Sequence, residues 1–287
     1  MPKVAPKLLM FQPQQWGQID RFKNLYTKTY SFSERDKRAL VGVSAHFDKF
    51  RRLRNLAERL KSNIQEDNAQ LDAHGYTNAE NAKDVAALIE ASVVELYAAV
   101  DCTIQVLRAI YKKDTAGFKD STRKTFQDVN RLSGSFPNHL KAVISEAAWF
   151  NRLLHLRDNL THLDTGSTRL NPETNLVSYN HYGMKEFGEP LIIDDVFGWL
   201  ERIDSDINAF LGSTFHHLNS TLIDEPVFQM CGMVDGRVLH RFVSPVDDLT
   251  FDSGHCGAWV WFEEPDMPNC PFSQNCGAYL RKADPAG

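Results

Sequence analysis

Between Ser33 and Leu71 apolar side chains return every seven residues, at Val43, Phe50, Ala57 and Ile64, with Leu53 and Leu60 interleaved. Seven residues are close to two helical turns, so these side chains share one face of a long amphipathic helix. Such a helix buries a stripe only against partners of similar length. The sequence supplies them. Gly75 ends the first pattern, and Thr77 with Glu80 three residues later reads as a capping box for a second long helix reaching about Lys113. Its apolar stripe is Val85, Ile89, Val93, Leu96, Val100, Val106 and Ile110.

A polar connection with Gly117 and a short helical segment near Thr122 to Leu132 lead to a third long helix, opened by Ser135 to Asn138 and stopped by Gly166 after Leu163. RLNPETNLVSYNHY carries turn chemistry at Asn171, Pro172 and Asn175 between β-prone flanks, which predicts a hairpin-like excursion. A fourth helix runs from about Asp194 to Leu222, with Val196, Leu200, Ile203, Ile207 and Phe210 on one face. Beyond Pro226, VFQMCGMV and RVLHRFV read as two strands joined by a type I′ turn at Asp235 and Gly236, and CGAWVWFEE reads as a third strand. The expected fold is mainly α: an antiparallel bundle of long helices with a hairpin-like insertion and a small β-containing C-terminal module. The expected organisation is an N-terminal extension over 1–76, a helical core over 77–224 and a small Cys-containing module over 225–287.

No apolar run is long enough for a signal peptide or a membrane span, so the expectation is a soluble protein of the cytoplasm without membrane association. Five cysteines, four of them in the C-terminal module, then read as thiols or metal ligands rather than a disulfide framework. The net charge of −5 conceals an asymmetry: residues 1–132 carry 22 Lys or Arg against 16 Asp or Glu, and residues 133–287 carry 10 against 21. A uniformly basic nucleic-acid binder is excluded. Local basic tracks remain at Arg51, Arg52 and Arg54 and at Lys112 and Lys113, readable either as solvated surface or as guides for an RNA backbone.

The stretch LRDNLTHLD at 156–164 has specific chemistry. Arg157 lies on the flank of the third helix and His162 on the side away from its leucines, with Asp158 one turn before the histidine, where an acid can orient a protonated imidazole. RNA cleavage without metal needs a proton carrier near neutrality and a fixed cation on the phosphate, which histidine and arginine supply. Five residues along a helix is about 140° of rotation, so the two side chains do not converge within one regular helix. The alternative is an arginine stem covering the stripe's edge beside a modest Asp158–His162 surface pair.

RDNLTH at 157–162 resembles the arginine, polar residue, three-residue spacer, histidine signature of the HEPN superfamily, and the layout of long helices from about 79 to 220, roughly half of the chain, is similar to that family's. The resemblance implies a helical bundle and a homodimer in which the motifs of two subunits meet. It also implies metal-independent endoribonuclease activity in a toxin or anti-phage role, with an inhibitory partner protein in some settings. Arg157 and His162 would be catalytic, with Asp158 assisting them and no cofactor required. A HEPN-like protein that binds RNA, a nucleotide or a protein partner without cutting is the other reading.

In the C-terminal module a two-residue turn sets Cys231 opposite His240 on one face, and Cys270 and Cys276 complete a zinc ligand set, with Cys256 and His255 nearby. The competing reading is small buried thiols. Trp259, Trp261 and Phe262 read as core. No P-loop, G-x-G-x-x-G, H-E-x-x-H or G-x-S-x-G occurs, so nucleotide hydrolysis, dinucleotide redox chemistry, zinc proteolysis and α/β-hydrolase chemistry have no motif to rest on.

Overall fold

The computed structural model describes residues 17–186, 188–234, 237–246, 253–265 and 270–281. Helices make up about 60% of the protein. The chain divides into two compact units, one of residues 33–210 and one of residues 1–32 with 211–287. The first helix, α1 (Gly17–Leu25), belongs to the second of these and is taken up with it below.

The helical unit begins with α2 (Glu34–Leu60), capped by Ser33, whose hydroxyl accepts from the Asp36 N–H. A 3₁₀ turn at Lys61–Asn63 joins it to α3 (Ile64–His74). Gly75 ends α3 at φ 71°, a conformation that costs glycine little. The expected run to Leu71 is thus two helices with a tightened joint. Next comes α4 (Glu80–Tyr111), against whose long face α2 packs. Val85, Ile89, Val93, Leu96, Val100 and Val106 are buried as the spacing predicts.

The capping box at Thr77 does not form. Thr77 Oγ1 instead accepts from the Ala79 N–H, and the first turn of α4 is satisfied from α3, where the buried Asp67 carboxylate accepts from the Ala82 N–H at 2.8 Å and the Asn81 amide at 2.9 Å. A tertiary carboxylate thereby does the work expected of Glu80, which pairs with Lys83 on the surface.

After α4, β1 (Thr115–Ala116) pairs with β2 (Ser133–Gly134) around α5 (Thr122–Gln127). The expected third long helix is two: α6 (Asn138–Ser145) and α7 (Phe150–His162). The backbone tightens between them, the Ala147 N–H bonding to the Ile144 carbonyl. This break re-aims the chain so that Phe150 stacks on Phe126 at 3.6 Å and Trp149 meets Phe210 edge-on. Leu153, Leu154 and Leu156 are buried on α7, whereas Leu163 lies past the helix end and is 78% exposed.

The predicted hairpin is a three-stranded antiparallel meander, β3 (Ser167–Leu170), β4 (Val177–Glu186) and β5 (Glu189–Ile193). Asn171 closes its first turn by accepting from the Glu173 and Thr174 N–H groups. Val177, Tyr179 and His181 alternate inward along β4. Gly166 is not a helix stop. A Cβ there would stand 2.3 Å from the Tyr179 ring, so its small size admits that ring, while its N–H donates to Glu90.

The fourth helix, α8 (Val196–Ser220), begins at Asp195, whose side chain accepts from the Gly198 N–H. Within the helical unit its Asp204 receives both Arg51 and Arg54 from α2.

In the other unit α1 sets Phe22 edge-on to Phe215 of α8 at 5.7 Å, and Asn219 donates to Gln18. Then β6 (Val227–Val234) pairs with β7 (Arg237–Val243) as predicted, and β7 with β8 (His255–Cys256). The Asp235–Gly236 turn lies outside the described residues. The third strand is only those two residues of β8, and WVWF forms a helical turn, α9 (Trp259–Phe262). Gly257 packs directly against the His240 ring, and the Trp261 N–H bonds back to Ala258, which turns the chain before a strand can extend. A last turn, α10 (Gly277–Leu280), completes the described part. Phe262 is buried, with Trp259 and Trp261 half-buried beside it.

Candidate functional site

Four positions on α4, Tyr97, Asp101, Gln105 and Arg108, recur at three- and four-residue steps and form a polar strip beside the apolar one. With Arg35 and Ala39 of α2, Asp120 to Thr122 and Arg157 of α7, they line an open cleft of about 390 Å³ within the helical unit. Arg157 is pinned twice. Its guanidinium lies over the Tyr97 ring at 4.5 Å, and Nη1 donates to the Asp158 carboxylate at 2.8 Å. Asp158 also faces Arg123 at 4.0 Å. Burial, with Asp101 next in weight, raises the Tyr97 pKa, so the phenol under the arginine stays neutral.

A second chain of hydrogen bonds fixes the other wall. Arg108 Nη2 donates to Gln105 Oε1, and the Gln105 amide donates to Asp36 on α2 at 2.7 Å. Burial opposes ionisation of Asp36, but hydrogen bonds from Ser33 and Gln105 outweigh it and hold the carboxyl below its usual range. Arg108 Nε is buried with no hydrogen-bond partner among the described residues. Cys102, also in the wall, is pushed up to about 11 by burial and then by Asp101, so it is a closed thiol rather than a nucleophile.

His162 does not join this cleft. It is the last residue of α7, exposed, and makes no hydrogen bond or ion pair among the described residues. The expected Asp158–His162 pair is absent because Arg157 and Arg123 take up Asp158. A different histidine is held close to this end of α7. His181 is fully buried, its Nδ1 accepts from the Met184 N–H, and Nε2 faces the Asp164 backbone carbonyl at 3.2 Å and its carboxylate at 3.4 Å. Accepting at Nδ1 puts the proton on Nε2.

The basic tracks divide. Arg51 and Arg54 converge on Asp204, which is 7% exposed, and their rings of contact include Phe47 and Phe50, so they fasten α2 to α8. Arg52 pairs with Asp48 on the surface, Lys112 with Asp120, and Lys113 is exposed.

Of the expected zinc ligands, Cys231 is not opposite His240. A bulge between Met230 and Gly232 puts Met230 there, and leaves Cys231 as the extra residue, 3.2 Å from Arg241 Nε. His240 stacks on Phe228 at 4.8 Å. Cys270 and Cys276 do reach the cavity that Cys231 faces, and so does Cys256.

The cleft residues Arg35, Tyr97, Asp101, Gln105 and Arg108 were not anticipated. The i, i+4, i+8, i+11 recurrence of the four on α4 was the available signal. Fold and site together define a mainly helical protein with an arginine-lined cleft. Comparison with protein-family models, curated proteins and solved structures finds no match. Among the described residues no helix is long and apolar enough to cross a membrane.

Proposed function

We propose that the cleft binds RNA through its phosphates and that the protein is a metal-independent endoribonuclease of the HEPN type. The observation that supports this is the convergence of Arg157 with Arg35 and Arg108, the last carrying a buried donor that lacks an acceptor. Planar guanidinium groups fork onto phosphate oxygens, and Tyr97 with Asp158 presets the orientation of Arg157. His162 is five residues further on, about 140° around and about 7.5 Å along the helix. A homodimer whose two-fold axis passes near the end of α7 brings the His162 of one copy to the cleft of the other.

In the reaction the RNA 2′-OH gives up its proton to His162 and attacks phosphorus. Arg157 takes the charge on the phosphorane oxygens, and the 5′-oxygen leaves with the proton that His162 took up. The ends are a 2′,3′-cyclic phosphate and a 5′-hydroxyl. Asp158 positions Arg157. Within this reading a toxin or defence role with an inhibitory protein partner suits so general an activity, and Lys112 and Lys113 at the end of α4 guide the RNA backbone.

The test is RNA incubated in EDTA with wild type, Arg157→Ala and His162→Ala. Wild-type cleavage that falls about 100-fold or more in both variants, with folding unchanged, supports the mechanism. Equal cleavage by all three proteins overturns it. One observation favours binding without cutting: His162 is exposed and outside the cleft. RNA binding by wild type that Arg108→Ala weakens, with no cleavage of any RNA, establishes that second reading.

A further inference from the structure

Four of the five cysteines lie in the unit that holds β6, β7 and β8, and all four, Cys231, Cys256, Cys270 and Cys276, line one cavity of about 50 Å³. They come from four separate places: the β6 bulge, the end of β8, and the two ends of the turn from Cys270 to Cys276. We infer that these four thiols are the ligand set of a structural zinc ion, with Cys256 in the place that the sequence spacing assigns to His240.

The turn from Cys270 to Cys276 is closed by its own backbone, the Ser273 N–H bonding to the Cys270 carbonyl at 2.9 Å and the Asn275 N–H to the Phe272 carbonyl at 3.0 Å. Arg241, 2% exposed, brings its Nε to 3.2 Å from Cys231 Sγ. Four sulfurs gathered on one cavity of that size match the four-coordinate tetrathiolate set of a structural zinc. Each S–H gives its proton to solvent as the Zn–S bond forms.

His240 lines the same cavity, but its ring is engaged by its surroundings. Its ring stacks on Phe228, stands edge-on to Phe242 and Trp261, and is pressed by Gly257. Among the described residues no three His, Cys, Asp or Glu side chains are placed to hold a metal ion as they stand. Zinc binding would draw the sulfurs to the about 3.8 Å separation that Zn–S bonds of about 2.3 Å set in a tetrahedron. The surrounding elements are also short, α9 and α10 having four residues each and β8 two, and a small core of this kind commonly depends on a metal or a disulfide.

The experiment uses the full chain purified under reducing conditions from zinc-supplemented cells. Metal analysis is expected to find about one zinc per chain, and Co²⁺ exchanged for it should show the intense sulfur-to-cobalt absorption of a tetrahedral tetrathiolate site. Cys256→Ser should lose the metal, while His240→Ala and Cys102→Ser keep it. Because a serine variant can misfold, Cys276→His serves as the companion: it should retain the ion with a shifted cobalt spectrum. Absence of zinc together with absence of a cobalt band overturns the inference, as does the finding that the four cysteines form disulfides in the native protein. Loss of metal in His240→Ala with retention in Cys256→Ser overturns the ligand set.

Discussion

The arginine cleft and the cysteine cavity solve opposite problems. The cleft is open, about 390 Å³, and walled by α2, α4 and α7, whose apolar faces are already buried beneath it. Its charged groups are held by partners at the surface, Arg157 by Asp158 and Asp120 by Lys112, rather than by the apolar core. The cavity is about 50 Å³, enclosed by sulfur and aromatic side chains on short elements. There the functional groups are themselves the core. A site built on a finished scaffold can lose a side chain and keep its shape, whereas a site that is the scaffold cannot. The comparison therefore predicts that substitutions in the cleft change function and substitutions in the scaffold change stability.

The largest expected effect is in the scaffold, where α2 is fastened to α8. Asp204, 7% exposed, accepts from Arg51 at 2.9 Å and Arg54 at 2.7 Å. Asp204→Ala leaves two guanidinium groups without that carboxylate. The arginines are 32% and 21% exposed, which softens the loss, so the expected cost is about 2–3 kcal/mol. Denaturant unfolding checks it, against Arg157→Ala as the comparison, which should shift the midpoint by less than half as much. Equal shifts would break the distinction between scaffold and site.

Next in size is a difference in thiol chemistry. With the Cys102 pKa pushed up to about 11, its thiolate population at pH 8 is about 100-fold below that of a thiol at its ordinary value of 9.0. Alkylation of the native protein followed by peptide mapping should find Cys102 modified about 100-fold more slowly than a free thiol. With zinc at the inferred site, the four cavity cysteines should be protected from alkylation and should react once a chelator removes it. Fast modification of Cys102 would mean that the wall of the cleft opens.

Periodicity made the long helices legible. Val85, Ile89, Val93 and Leu96 are buried because a stripe at this spacing has one place to go. The break before α7 was not legible, because what decides it is distant in sequence: Phe150 seeks Phe126 and Trp149 seeks Phe210. Asp67 likewise replaced a local cap with a tertiary one. At the sites the pattern repeats. Arg157 was visible as a residue, but its neighbours Arg35 and Arg108 lie 122 and 49 positions away, and only the packing of α2 against α4 unites them. The register of β6 failed by one residue for a local reason. A bulge adds a residue to one strand, and no turn rule anticipates where.

The smallest expected effect concerns charge on the seam of α2 and α4, where a carboxylate about as buried as Asp204 is paired with more exposed cations. Glu95 receives His46 Nδ1 and Lys49 Nζ, each at 2.6 Å, and Lys49 is 61% exposed. Burial alone would raise the Glu95 pKa, but hydrogen bonds from His46 and Lys49, and then their charges, outweigh it and hold the carboxyl below the model-peptide value of 4.5. A depressed folded-state pKa means that the unfolded chain binds the proton more readily. The stabilisation is therefore complete above the unfolded pKa and is lost as pH falls through the folded one. Glu95→Gln should cost about 0.5 kcal/mol at pH 7, in keeping with a partly exposed pair, and the cost should shrink as the solution is acidified below pH about 4. Unfolding curves of wild type and variant across that range provide the check. A cost of Asp204 size at this position would place this seam with the scaffold, and a cost that grows on acidification would reverse the sign of the linkage and remove Glu95 as its source.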